Sequence, residues 1–263
     1  GLGGGAESYM AETLYFVDNG WRVFSFDCTG SYESEGKGTR GLPQSVVDLN
    51  SALVYIESDS ALKDLPVMLY GHSWGGYAVA AVLNYGHDVA AAVSIAGFNA
   101  PMEILFERAE RMMGSIAHVE YPFLWAYQTM LFGRAARLTA VDGINGADTA
   151  VMIIHGDKDT TVSYDRASII AHKGEITNPN VVYKTCTAEN HNGHRNLFRS
   201  EAAAEYINEE NRVYQELYDF YNGSIPDDVL ASYYADVDRA QASELDAGFM
   251  DEINRFFEHR LSD

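Results

Sequence analysis

The chain has 263 residues, with 18 Lys and Arg against 38 Asp and Glu, for a formal net charge of −20. Its 47% hydrophobic and 21% charged residues fit a packed globular chain and exclude a disordered one. The acidity argues against nucleic acid or an anionic membrane surface as a partner, since both require a basic patch. No run of about 18 apolar residues marks a transmembrane helix.

In chain order, Gly1-Leu2-Gly3-Gly4-Gly5 opens the sequence and Glu7–Asn19 is amphipathic at helical spacing. Short apolar runs at Trp21–Asp27, Pro66–Tyr70, Val89–Ala96, Ala150–His155 and Val181–Thr187 read as strands. They are continuous rather than alternating, the pattern of a parallel sheet covered on both faces. Helices are predicted between them at Ser45–Ser58, Gly75–Tyr85 and Ser163–Lys173. Strand alternating with helix predicts an α/β fold with right-handed crossovers.

The stretch Asn99–Asp148 breaks this rhythm. It is rich in Met and aromatic residues and too long for a connection of about 4–6 residues, so a helical cap over the sheet is expected. After Arg195 the chain turns acidic and helical. Residues 201–263 carry 16 Asp and Glu against 4 Arg, which is read as a solvated outer face. Ser200 precedes one helix, Ser224-x-x-Asp227 opens the next and Ser243-x-x-Asp246 the last. One domain over residues 1–263 is expected, with the cap at 99–148 and an extra helical segment at 200–242. The two cysteines, Cys28 and Cys186, do not form a disulfide framework.

Gly71-His72-Ser73-Trp74-Gly75-Gly76 carries the strongest chemical signal. It is a G-x-S-x-G between a predicted strand and a predicted helix, the setting of a nucleophile elbow. Side chains at Gly71 and Gly75 are expected to collide across the turn. Ser73 sits at a helix N-terminus, where developing negative charge is favoured. A serine nucleophile needs a base, and the base needs an orienting carboxylate. Both Asp157 and Asp159 follow the strand ending at His155; Asp159 is preferred as the orienting acid, with Asp157 in the supporting turn. Both His191 and His194 follow Val181–Thr187; His194 is preferred, since Gly193 frees the backbone beside it, and His191 is kept as the alternative. His72 is read as packing beside the nucleophile and His155 as a satisfied core or turn histidine. No H-E-x-x-H or similar spacing occurs, so neither metal nor cofactor is expected.

These residues resemble an α/β-hydrolase fold serine hydrolase of the esterase, lipase and acylaminoacyl-peptidase type. The resemblance rests on Gly1–Gly5, on Asp27-x-x-Gly30 with Ser34-x-Gly36, on Gly71–Gly76, on His155-Gly156-x-x-Asp159 and on Gly193-His194. It implies an oxyanion hole from the backbone N–H of Trp74 and, by position, Leu2, with Gly3 beside it. It also implies that Gly1–Gly5 follows a strand, so that the first strands of the sheet are absent from this sequence and the chain starts partway through a longer protein. The expected activity is hydrolysis of a small-molecule carboxylic ester or related acyl bond through an acyl-enzyme. An aminopeptidase or acylaminoacyl-peptidase ranks second because the sequence holds no second domain to sieve peptides. A non-catalytic binding protein on the same fold is the remaining alternative.

Overall fold

The computed structural model describes residues 1–261. Four strands form one parallel sheet in the order β1-β2-β3-β4: β1 Met68–His72, β2 Ala91–Ile95, β3 Ala150–Gly156 and β4 Val181–Cys186. In register, Tyr70 of β1 lies opposite Val93 of β2, and Val93 opposite Met152 of β3. Every residue of β2 and β3 is buried, as continuous apolar runs require when helices cover both faces. β4 closes one edge and leaves Val182 and Tyr183 exposed.

On one face lie α2 (Gln44–Ser58), α3 (Trp74–Ala81) and α6 (Ala140–Gly146), packed through Val46, Leu49, Tyr77, Val79 and Ile144. On the other, α1 (Met10–Asp18) and α10 (Ala247–His259) supply Phe16, Phe249, Ile253 and Phe257, which meet Val93, Ile95 and Ile154 of the sheet. Each such fully buried side chain contributes roughly 1.5–3 kcal/mol of burial free energy. The insertion after β2 is helical, comprising α4 (Pro101–Met113), α5 (Ala117–Phe132) and α6. The acidic segment forms α7 (Glu201–Phe220), α8 (Asp227–Asp236) and the short α9 (Arg239–Ala242). No helix of the described residues is long and apolar enough to cross a membrane.

Three sequence expectations change. Trp21–Asp27 joins no ladder. A cleft of about 280 Å³ lined by Phe24, Phe26, Met68 and Tyr70 lies between it and β1, with which it forms no backbone ladder. Ser163–Lys173 is not an α-helix but a run of turns ending in a 3₁₀ turn at Ile169–His172. The buried carboxylate of Glu107 accepts from the Ser163 hydroxyl and the Ala167 N–H, while Asn99 and Ile169 bridge the two segments through the Ala167 and Gly97 carbonyls. Those tertiary bonds replace the helical ladder. Finally, Ser243 closes α9, and it is the Asp246 side chain that caps α10 by accepting from Phe249 N–H. Ser200 does cap α7, accepting from Ala203 N–H.

Candidate active site

Ser73 sits between β1 and α3 with φ +58° and ψ −113°. A non-glycine residue in that region is strained and is held only where its surroundings over-determine it. Here the Ser73 N–H donates to the Ile95 carbonyl of β2 at 2.8 Å, and its carbonyl accepts from Tyr77 of α3. The turn is tight at one of the two expected glycines. A Cβ at Gly71 would stand 2.2 Å from the Gly75 carbonyl oxygen, whereas at Gly75 it would meet nothing within 4 Å. The second constrained position is Gly76, whose Cβ would lie 2.8 Å from the Ile95 oxygen. Gly71→Ala should therefore displace the elbow and lower activity by at least about 100-fold, the cost of a misplacement near 1 Å. Gly75→Ala should melt at or above the native temperature, which thermal denaturation of the two variants will compare.

The side chains meet in one line. The Ser73 hydroxyl lies 2.8 Å from His194 Nε2, and His194 Nδ1 lies 2.6 Å from Asp159 Oδ2. With Nδ1–H donating to the carboxylate, Nε2 is left as the acceptor for the serine proton. Asp159 is buried, and burial alone would raise its pKa. Hydrogen bonds from His155, His194 and the Val162 N–H outweigh that and hold the carboxyl well below the usual carboxylate range. Its Oδ1 accepts from the Thr161 and Val162 N–H groups at 2.7 and 2.9 Å.

The competing candidates lie elsewhere. The His191 ring lies against two acceptors, Nδ1 at 3.0 Å from Asn196 O and Nε2 at 2.9 Å from Glu201 Oε2, which ties its loop to α7, and it does not reach Ser73. Asp157 stays outside the line; its N–H donates to Cys186 O, and its Oδ1 is buried without the local backbone partner expected of a turn former. Trp74 is the first residue of α3, so its N–H belongs to the first turn, which has no intrahelical acceptor. Leu2 is 63% exposed, and its neighbour Gly1 lies beside the nucleophile: a Cβ there would be 3.8 Å from Ser73 Cβ. Among the described residues no group of three or more His, Cys, Asp and Glu is gathered as a metal ion would need.

His72 does more than pack. Its Nε2–H donates to the His194 carbonyl at 2.8 Å, which leaves Nδ1 to accept from the Tyr9 hydroxyl at 3.0 Å. Burial, followed by the neighbouring His194, pushes His72 down to about 3. The native state thus keeps it neutral, while the unfolded chain takes up a proton below about 6.5. The unfolded state binds more protons between those values, so stability falls as pH falls. From pH 7 to pH 5 the wild type should lose about 2 kcal/mol more than His72→Gln, read by urea denaturation at both pH values. Buried Glu12, raised by desolvation, acts in the opposite sense and cancels in that difference.

The surrounding segments fasten this line to the helical insertion. Arg111 of α4 donates to Glu107, to the Thr160 carbonyl and to Ser163 Oγ, so α4 is tied to the loop that carries Asp159. α5 approaches the other side, where a Cβ at Gly41 would meet Gln128 and Phe132; the adjoining Leu42 carbonyl accepts from the Trp74 indole at 2.6 Å. α5 has one charged residue, Glu120, and exposes Val119, Phe123 and Met130.

A family model described as the prolyl oligopeptidase family matches residues 8–225. No curated protein sequence matches the chain. Among solved structures, it is similar to an esterase of Pyrococcus furiosus, with 18% identity, TM-score 0.53, and 73% of this chain and 70% of that one covered. It is also similar to the ferulic acid-bound Est1E of Butyrivibrio proteoclasticus, with 17% identity, TM-score 0.52, and 82% and 85% covered. A third is a monoacylglycerol lipase of Paleococcus ferrophilus, with 15% identity, TM-score 0.52, and 79% and 88% covered. At these identities the likeness is one of fold: an α/β-hydrolase sheet with its flanking helices.

Proposed function

We propose that this chain, which belongs to the prolyl oligopeptidase family and is a serine hydrolase, cleaves small carboxylic esters, with Ser73 as nucleophile, His194 as general base and acid, and Asp159 as the orienting carboxylate. The observation that carries this reading is the unbroken line from Ser73 Oγ through His194 to Asp159, at 2.8 and 2.6 Å. In the first half-reaction His194 Nε2 takes the Ser73 proton as Oγ bonds to the ester carbonyl carbon. The carbonyl electron pair moves onto oxygen. The Trp74 N–H and, with it, the Leu2 N–H receive that oxyanion, each donor contributing about 2.7–4 kcal/mol. Collapse breaks the bond to the alcohol, which leaves with the proton returned by His194. A water then repeats the sequence on the acyl-enzyme, with His194 again as base, releasing the acid and restoring Ser73.

Two features favour an ester over a peptide. The exposed apolar side chains of α5, beside the loop that holds Trp74, suit an acyl or aromatic group. Two of the similar solved structures are, by name, an esterase and a monoacylglycerol lipase. The long-range field of a chain carrying −20 disfavours anionic substrates. A fluorophosphonate should label Ser73 in the folded protein, located by peptide mass mapping; an unmodified Ser73 would overturn the assignment. A panel of nitrophenyl esters of rising acyl length, run beside aminoacyl nitroanilides, separates the readings. A higher kcat/KM on the nitroanilides would make the enzyme a peptidase.

A further inference from the structure

We propose that His155, which takes no part in the proton transfers, is a positioning residue for the triad: its Nε2–H holds the Asp159–Val162 turn so that the carboxylate stays aimed at His194. This inference rests on the triad assignment above. His155 is the last but one residue of the wholly buried β3, and its side chain and that of Asp159 are both 0% exposed. Its Nε2 lies 3.0 Å from the Val162 carbonyl oxygen, the better aligned acceptor, and 3.2 Å from Asp159 Oδ2. Both neighbours are acceptors, so Nε2 must carry the proton. In the neutral ring the bare nitrogen is then Nδ1, which is buried and without a hydrogen-bond partner.

Val162 closes the circuit. Its carbonyl takes the His155 proton while its N–H donates to Asp159 Oδ1 at 2.9 Å. Oδ1 is thereby fixed by loop backbone, and Oδ2 is flanked by two imidazoles, one of them catalytic. Loss of the His155 donor would free the turn at Val162, one of the two residues that hold Oδ1, and remove one of the two rings that flank Oδ2. An apolar side chain of the same volume would fill the site without burying an unpaired ring nitrogen, which is unfavourable in itself. Packing alone therefore does not account for an imidazole here.

The test compares His155→Gln with His155→Met. The two replacements have similar length and volume, and only Gln keeps an N–H at the reach of Nε2. On a nitrophenyl ester, kcat of His155→Met should fall about 10–100-fold below that of His155→Gln, the range known for losing the hydrogen-bond partner that orients a metal-ligating residue and carried over to this orienting contact. KM should be shared by both. Equal kcat values would overturn the proposal. Should neither variant fold, the nitrogen shifts of the labelled wild-type imidazole decide: a neutral ring protonated at Nε2 supports the role, and protonation at Nδ1 overturns it. That measurement needs no substrate. A wild type inert toward every ester would therefore count against the ester reading, while the tautomer would still judge His155.

Discussion

Replacing Ser73 by alanine is expected to lower kcat on a nitrophenyl ester by about 10⁶-fold, because the members of a triad act as one unit and removal of the nucleophile removes the covalent route entirely. The substitution takes away a single oxygen. His194 keeps its 2.6 Å bond to Asp159, and the backbone at residue 73 stays at φ +58°, since the bond to the Ile95 carbonyl that fixes it is main-chain. Alanine is as strained there as serine, so neither relief of strain nor a new clash is expected, and the melting temperature should stay close to that of the wild type. KM should change little, because the hydroxyl contributes to bond making rather than to holding the acyl group. The measurement is steady-state turnover with a parallel fluorophosphonate reaction. Turnover surviving in Ser73→Ala, with the protein free of contaminating esterase by mass analysis, would remove Ser73 from the mechanism.

What is legible in the sequence follows the range of the interaction concerned. The elbow was legible because its determinants are local: a strand, a glycine at which a Cβ would stand 2.2 Å from the Gly75 carbonyl oxygen, and a helix start, all within Met68–Ala81. The choice of Asp159 and His194 over Asp157 and His191 also rested on local loop chemistry, and these are the two residues the fold brings to Ser73. What the sequence obscured is what depends on a distant partner. Trp21–Asp27 has the composition of a strand, but a ladder needs a neighbour within hydrogen-bonding distance, and β1 lies across a cleft. Ser163–Lys173 has helical periodicity, yet Glu107, some 56 to 60 positions earlier, captures its hydroxyl and N–H donors.

The two accessory histidines show the same division. His72 reaches the His194 carbonyl across 122 positions, and nothing near it in the sequence announces that bond. His155 stands four residues before Asp159, visible as His155-Gly156-x-x-Asp159, but that spacing brings side chains together on a helix, not on a strand end. The turn folds back because Gly156 lets the Asn192 carbonyl approach to 2.2 Å from where a Cβ would be. That approach also draws the histidine loop against the acid loop, and Lys158 N–H donates to the same Asn192 carbonyl at 2.9 Å. The two loops are thus joined by backbone before any triad side chain is considered. The arrangement is consistent with a site built on rigid supports rather than on free loop tips.

Asp159→Asn should lower kcat by about 10⁴-fold through the tautomer of His194 rather than through loss of position. The Thr161 and Val162 N–H groups both donate to Oδ1, so the amide oxygen of an asparagine must occupy that place. Its NH₂ is then forced to the place of Oδ2, facing His194 Nδ1 and His155 Nε2. Toward His194 the NH₂ can only donate, which requires Nδ1 to be the bare nitrogen and puts the ring proton on Nε2, against Ser73. The base is then unable to accept the serine proton. Toward His155 two donors oppose each other, which adds a stability loss of about 1–3 kcal/mol for the unpaired group. The pH dependence separates this from simple weakening. Wild-type Asp159 has a depressed pKa, so its stabilisation is complete above the ordinary carboxylate value and is lost as pH falls through the lower folded value. Asp159→Asn should lack that acid-side loss while remaining slow at every pH. Denaturation below pH 4 beside kcat at neutral pH reads both. An Asp159→Asn enzyme within 10-fold of wild-type kcat would show that the carboxylate does not set the tautomer.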